Sequence, residues 1–163
     1  MQIPVDAQRG TLREAWVGVQ IAADERAHTL DPHIDLIAPS RVDAELTASQ
    51  ARTLADLLVG AADNGPMVPA RPCPSWCVRH PPSLVADPFR HHGEPQRLRV
   101  RGPQLHDAFV ATQLVGFDVH SVSPVLRVRL HLPEKEWMDV TPTQARRVAA
   151  ALYDAVDAIA ARH

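Results

Sequence analysis

The chain has 163 residues, 45% of them hydrophobic and only 4% aromatic, so a core of alanine, valine and leucine is expected, in one compact domain or two small ones sharing a core. Lys+Arg at 17 against Asp+Glu at 19 gives a formal charge of -2, which excludes a general attraction to phosphate backbones and leaves any nucleic-acid contact to a local patch. The opening MQIPVDAQRG lacks a basic flank followed by an apolar run, and no stretch approaches the ~20 apolar residues that span a bilayer; a cytoplasmic protein with no membrane partner is expected, in a compartment where close cysteines bind metal more often than they form structural disulfides.

The first readable element is WVGVQIA from Trp16, whose alternation of apolar and polar side chains predicts a half-buried strand. A second strand leads to Pro39, where a hairpin should turn, and a short third strand follows at Val42 to Leu46. Thr47 then stands as a helix N-cap with Gln50 three residues on, the spacing of a capping box. Along the helix Ala51, Leu54, Ala55, Leu58 and Ala62 form one apolar stripe that should pack on a sheet.

The same run of signals returns near the end of the chain. LIAPSRVDAELTASQARTLADLLVGAAD from Leu36 aligns without gaps on LHLPEKEWMDVTPTQARRVAAALYDAVD from Leu130, pairing Pro39 with Pro133, Thr47 with Thr141, Gln50 with Gln144, Arg52 with Arg146 and Asp63 with Asp157. Upstream, after a change of one residue in offset, WVGVQI lies over FVATQL at Phe109 to Leu114. We therefore expect an α+β fold of two tandem β-β-β-α repeats related by a pseudo-twofold axis, with a mainly antiparallel sheet. The expected division is an N-terminal repeat over residues 1–66, a connector over 67–97 and a C-terminal repeat over 98–163. Pro142 suits the first turn of the second helix, whose apolar surface extends past its stripe through Ala150, Ala151 and Ile159. That extra surface is either buried within the chain or the seam of a homodimer.

Between the repeats, CPSWCVRHPPSLVADPFRHHG from Cys73 to Gly93 holds both cysteines and three of the nine histidines. The spacing is Cys73-x3-Cys77-x2-His80-x10-His91, with His92 adjacent, and two thiolates with two imidazoles satisfy a tetrahedral Zn²⁺. Prolines at 72, 74, 81, 82, 88 and 95 argue against regular helix or sheet here, so a cross-link would have to hold the segment together. A structural zinc does so; the alternatives are a Cys73–Cys77 disulfide or a histidine-rich turn without a ligand. Trp76, between the cysteines, is expected to shield the metal and pack on the sheet.

These residues carry a resemblance. Cys73, Pro74, Trp76, Cys77, His80, His91 and Gly93, with VTPTQARRVAAAL in the second helix, resemble a family of small actinobacterial and phage-associated proteins known as a domain of unknown function, with a CPxWC…H…HxG segment. The resemblance spans Pro72 to about Ala160 and implies a zinc site with His91 as the fourth ligand and His92 its outward neighbour, His92 being the alternative ligand if the two exchange roles. It implies no activity. This chain departs from the family pattern by carrying an additional copy of the repeat, without the metal motif, in front.

Other candidates are weaker. His33, His120 and His131 lie on or beside strands, His106 and Asp107 read as a loop, and Ser75, Ser121 and Ser123 lack the glycine context of a nucleophile elbow. With only seven scattered glycines there is no phosphate-cradling loop or dinucleotide fingerprint. Arg97 to Arg101, and Arg146 with Arg147, read as a solvated strand face and a helix flank. The sequence thus argues for a non-enzymatic, zinc-stabilised binding or regulatory module with a protein partner. The alternatives are a nucleic-acid-binding regulator, for which Arg97 to Arg101, His80 and Arg90 would form the basic face, and a zinc hydrolase, for which Asp87 or Glu94 would serve as base.

Overall fold

In a computed structural model of the chain, the structure describes residues 2–5, 15–23, 32–38, 41–63, 76–78, 90–101, 107–117, 125–133 and 137–161. Its elements in chain order are β1 (Gln2–Val5), β2 (Ala15–Ala23), β3 (Pro32–Ala38), β4 (Arg41–Leu46), α1 (Ala48–Asp63), β5 (Arg90–His92), β6 (Gln96–Arg101), β7 (Asp107–Phe117), β8 (Val125–His131), β9 (Trp137–Val140) and α2 (Pro142–Ala160). The α+β class is as expected. No helix among the described residues is long and apolar enough to cross a membrane.

The nine strands form one antiparallel sheet in the order β1-β2-β3-β4-β6-β7-β8-β9, with β5 laid beside the far end of β7. Four strands precede α1 and five, β5 to β9, precede α2, where the repeat pattern predicts three before each. The additional strands are β1, only four residues long and containing Pro4, the three-residue β5, and β6, which the sequence offered as a solvated strand face but not as part of the repeat. Ladders coincide across the two halves: Ile34 faces Leu46 in β3–β4 as Val128 faces Val140 in β8–β9, and Leu36 faces Ala44 as Leu130 faces Met138. The halves join through Glu45 of β4 and Arg101 of β6, and at the other end of the path β1 and β9 come into contact, so the sheet is curled.

Regular sheet was not expected in the proline-rich connector, yet His91 and His92 lie in β5 and pair with Gly116 and Val115. The prolines at 88 and 95 flank this strand without interrupting it, so no ladder donor is lost. Likewise Asp107, expected in a loop, opens β7 opposite Arg101.

Both helices begin at their threonine caps. The Thr47 amide donates to Gln50 Oε1 at 2.8 Å and its hydroxyl accepts from the Gln50 amide at 3.2 Å; Thr141 and Gln144 repeat the exchange at 2.8 and 3.1 Å. Gln50 also donates through Nε2 to the Arg99 carbonyl of β6 at 2.9 Å, tying the first helix to the second half of the sheet.

The predicted stripes, Ala51, Leu54, Ala55, Leu58 and Ala62 on α1 and Ala145, Val148, Ala149, Leu152 and Val156 on α2, are all buried. The helices pack on one another, α1 against β6 and β7 and α2 chiefly against β2, so each lies on strands of the other half. One hydrophobic cluster results, drawing on both halves. Ala151 and Ile159 are part of it and Ala150 is exposed, so the additional apolar surface of α2 is largely absorbed within the chain. Two exposed ion pairs bracket the helix contact, Arg146 to Asp63 at 2.6 Å and Arg52 to Asp157 at 3.6 Å, and Tyr153 donates to Asp56 between them. Exposed pairs of this kind set register more than they stabilise.

A shared core predicts shared unfolding. Leu58→Ala and Leu152→Ala should each cost about 2–5 kcal/mol by emptying a fully buried site, and Thr141→Ala about 1 kcal/mol. Denaturant melts followed by circular dichroism should show one transition for every variant; two separable transitions would contradict the shared core.

Candidate functional site

Of the expected metal ligands, Cys77, His91 and the alternative His92 are described, whereas Cys73 and His80 lie outside the described residues. Among the described residues there is no cluster of three or more Cys, His, Asp or Glu side chains placed to hold one ion. What the structure does place is the seat of the segment. The Val78 amide donates to the His92 carbonyl and the Gly93 amide to the Leu114 carbonyl, both at 2.9 Å, so the cysteine turn and β5 are held together beside β7.

Trp76 packs against the hydrophobic core and meets the buried His91 ring edge-on, with centroids 6.2 Å apart and planes at 81°. Gly116, opposite His91 in the ladder, makes room for the indole: a Cβ there would stand 3.0 Å from Trp76 Cη2. Adjacent residues of a strand face opposite sides, so His91 lies on the Trp76 side of β5 while His92 is turned toward the other face of the sheet. The indole Nε1 is buried with no acceptor among the described residues. Trp76 also lines a cavity of about 340 Å³ with Thr112, Leu57, Asp56 and Glu94. Glu94, one of the two bases considered for a hydrolase, is exposed there, and Asp87 lies outside the described residues.

A second constellation occupies the sheet face turned away from the helices. Alternation sends Arg97, Arg99 and Arg101 of β6, Phe109 and Gln113 of β7, Arg129 and His131 of β8, and Trp137 and Asp139 of β9 to this face. Arg129 and Asp139 are cross-strand partners joined by two parallel hydrogen bonds of 2.7 and 2.9 Å, with side chains only 10% and 1% exposed. The guanidinium also lies 3.9 Å from the centre of the Trp137 ring. Beside it His131 Nε2 meets Gln113 Oε1 at 3.0 Å, while Gln113 Nε2 donates to the Gly93 carbonyl at 2.9 Å. This network links the face to the turn that follows β5.

Burial first, then the positive charge of Arg129, hold the His131 pKa below its ordinary range; Asp139 opposes them, and Arg97 adds the smallest push downward. Arg99 is held by Asp107, whose carboxylate that bond and charge keep below its usual range, and Arg101 approaches Glu45 at 3.9 Å. His33 stands 3.3 Å from Asp35, whose carboxyl burial pushes up. Arg146 pairs with Asp63 as a helix flank would, and Arg147 is exposed.

Arg97, Arg129, His92, His131, Gln113 and Phe109, with Pro95 and Ala111, line a groove of about 520 Å³ on this face. Sequence reasoning passed over Arg129, Asp139, Gln113 and Phe109. The alternation in VLRVRLHL put Arg129 on the outer side of its strand, but only the β8–β9 register shows that an aspartate lies opposite.

Asp139→Ala strands a buried guanidinium and should cost about 3–5 kcal/mol, whereas Arg129→Met with Asp139→Leu should recover most of that loss; equal losses for single and double variants would contradict a buried ion pair. His131 gives a pH signature. Its folded-state value is depressed below the ordinary 6.5, so the unfolded chain takes the proton first; stability is constant above 6.5 in this respect and falls as the pH drops below it. His131→Gln should remove part of that slope in melts compared from pH 7 downward, and an unchanged slope would count against it.

No curated protein and no solved structure matches the chain. One family model does, over residues 62–163, a span that begins at the end of α1 and takes in the whole cysteine and histidine segment, β5 to β9 and α2. The match covers more than half of the chain and includes both histidines of β5 and the Trp76 seat, and on that ground the chain belongs to DUF6907, a domain of unknown function.

Proposed function

We propose that the chain is a non-enzymatic binding module of the reducing cytoplasm, stapled by a structural Zn²⁺ and presenting its sheet to a protein partner. Cys73, Cys77, His80 and His91 would hold the ion. Four protein donors close a tetrahedral site and leave no position for a reacting water, which is why the reading is structural and not hydrolytic. The observation that carries it is the seating of Trp76 to Val78 on β5: Cys77 is delivered beside a strand whose buried histidine, His91, lies on the same side as the shielding indole, while His92 faces away. With Val78 bonded to His92 and Gly93 to Leu114, an ion on that side would lock the connector to β7.

The same reading takes the chain as a tandem duplication in which the second copy acquired the knot. Coincident ladders, two capping boxes and the reciprocal pairs Arg146–Asp63 and Arg52–Asp157 support this, since a twofold relation makes residue i meet j and j meet i. A nucleic-acid partner is not favoured, because Arg99 and Arg101 already face Asp107 and Glu45.

Elemental analysis of the purified protein should find one zinc per chain, and chelation should lower its melting temperature. Cys73→Ser should cost more than His92→Ala, and Gly116→Ala, which crowds the indole, about 1–3 kcal/mol. A metal-free protein whose melting ignores chelators would overturn the zinc staple.

A further inference from the structure

We infer that the outer-face groove between β6, β7 and β8 docks an acidic segment of a partner protein, a carboxylate on Arg97 and a neighbouring apolar side chain on Phe109. The inference rests on the binding-module reading but not on the zinc.

Charge complementarity selects the partner. Among the described residues no carboxylate lines the groove, while Arg97, Arg129, His92 and His131 do. Asp139, the partner of the lining residue Arg129, is 1% exposed and has both oxygens engaged by that guanidinium, so it offers no negative charge to an incoming group. On β6, Arg99 and Arg101 have acidic neighbours and Arg97 has none among the described residues. Its guanidinium is therefore the cation available to an incoming carboxylate, which it can meet with two parallel hydrogen bonds.

The apolar half of the site is Phe109, 56% exposed on the central strand of the groove. Together with Val78, which hydrogen-bonds through its backbone to His92 at the groove's edge, it makes up the exposed large hydrophobic residues of the described chain. An aromatic side chain standing beside arginine is the composition of binding hot spots. A volume of about 520 Å³ admits a few side chains of a peptide rather than a folded face. A polyanion would need a row of uncommitted cations, and the groove supplies one arginine of that kind beside Phe109.

The test is a displayed library of random dodecapeptides, panned on the full-length protein and counter-selected on Arg97→Glu and Phe109→Ser. Both positions are exposed, so unchanged melting of the variants serves as the folding control. Expected are peptides enriched in Asp or Glu next to Leu, Ile or Phe, whose binding weakens about tenfold or more in either variant and on raising salt. Enriched peptides without acidic bias that still lose binding in Phe109→Ser would overturn the acidic partner and keep the binding module. Acidic peptides that bind both variants as well as the parent would overturn the groove as their site. Oligothymidylate captured through Arg97 would overturn it in favour of single-stranded nucleic acid. No enrichment at all would overturn this inference and the binding-module reading together, with zinc content unaffected by either result.

Discussion

The structure depends on two alanine-lined helices that bury their stripes in a single core neither half could complete alone. Ala51, Ala55, Ala145 and Ala149, with Leu54, Leu58 and Leu152, are fully buried where α1 and α2 pack on one another and on the sheet. Each helix lies on strands contributed by the other half, and Gln50 extends its capping role to a carbonyl of β6. The narrow β4–β6 join, at Glu45 and Arg101, can therefore be slight, because the helices rather than the ladder hold the halves together.

β7 is where this core meets everything else. Val110 and Leu114 point into the helices, Phe109 and Gln113 to the outer groove, and the end at Val115 and Gly116 receives β5. Gly116 is small because the indole of Trp76 lies against it. Gln113 carries the connection across the sheet, donating to Gly93 while its oxygen meets His131. A change at the cysteine turn is thus one hydrogen-bonded step from the groove.

The two halves use equivalent ladder positions differently. In β3–β4 Asp35 stands opposite Glu45, two acids whose proximity adds to burial in pushing the Asp35 carboxyl up, eased by His33. In β8–β9 the corresponding partners are Arg129 and Asp139, a closed ion pair under Trp137. If the halves descend from one ancestor, the outer face diverged while the core face stayed apolar. This follows from what each side must do: helix-facing positions share one packed interior, whereas outward positions answer only to cross-strand neighbours and solvent.

Local rules were sufficient for much of this fold. Capping boxes at Thr47 and Thr141, the apolar stripes and the alternation of the longer strands depend on residues within one or two turns of each other, and all are legible in the chain. The strand β6 was legible as a solvated face of arginines but not as a member of the repeat, and β1 and β5 were too short to show a period. The histidines of the connector announced a metal segment by composition, but that His91 and His92 face opposite sides of β7 follows from their pairing with Gly116 and Val115, a register no local pattern encodes. The same is true of the groove. Arg97, Phe109, Gln113 and Arg129 come from three strands and converge only because the sheet brings those strands side by side, and the burial of Asp139 beneath the groove is decided by its partner across the ladder.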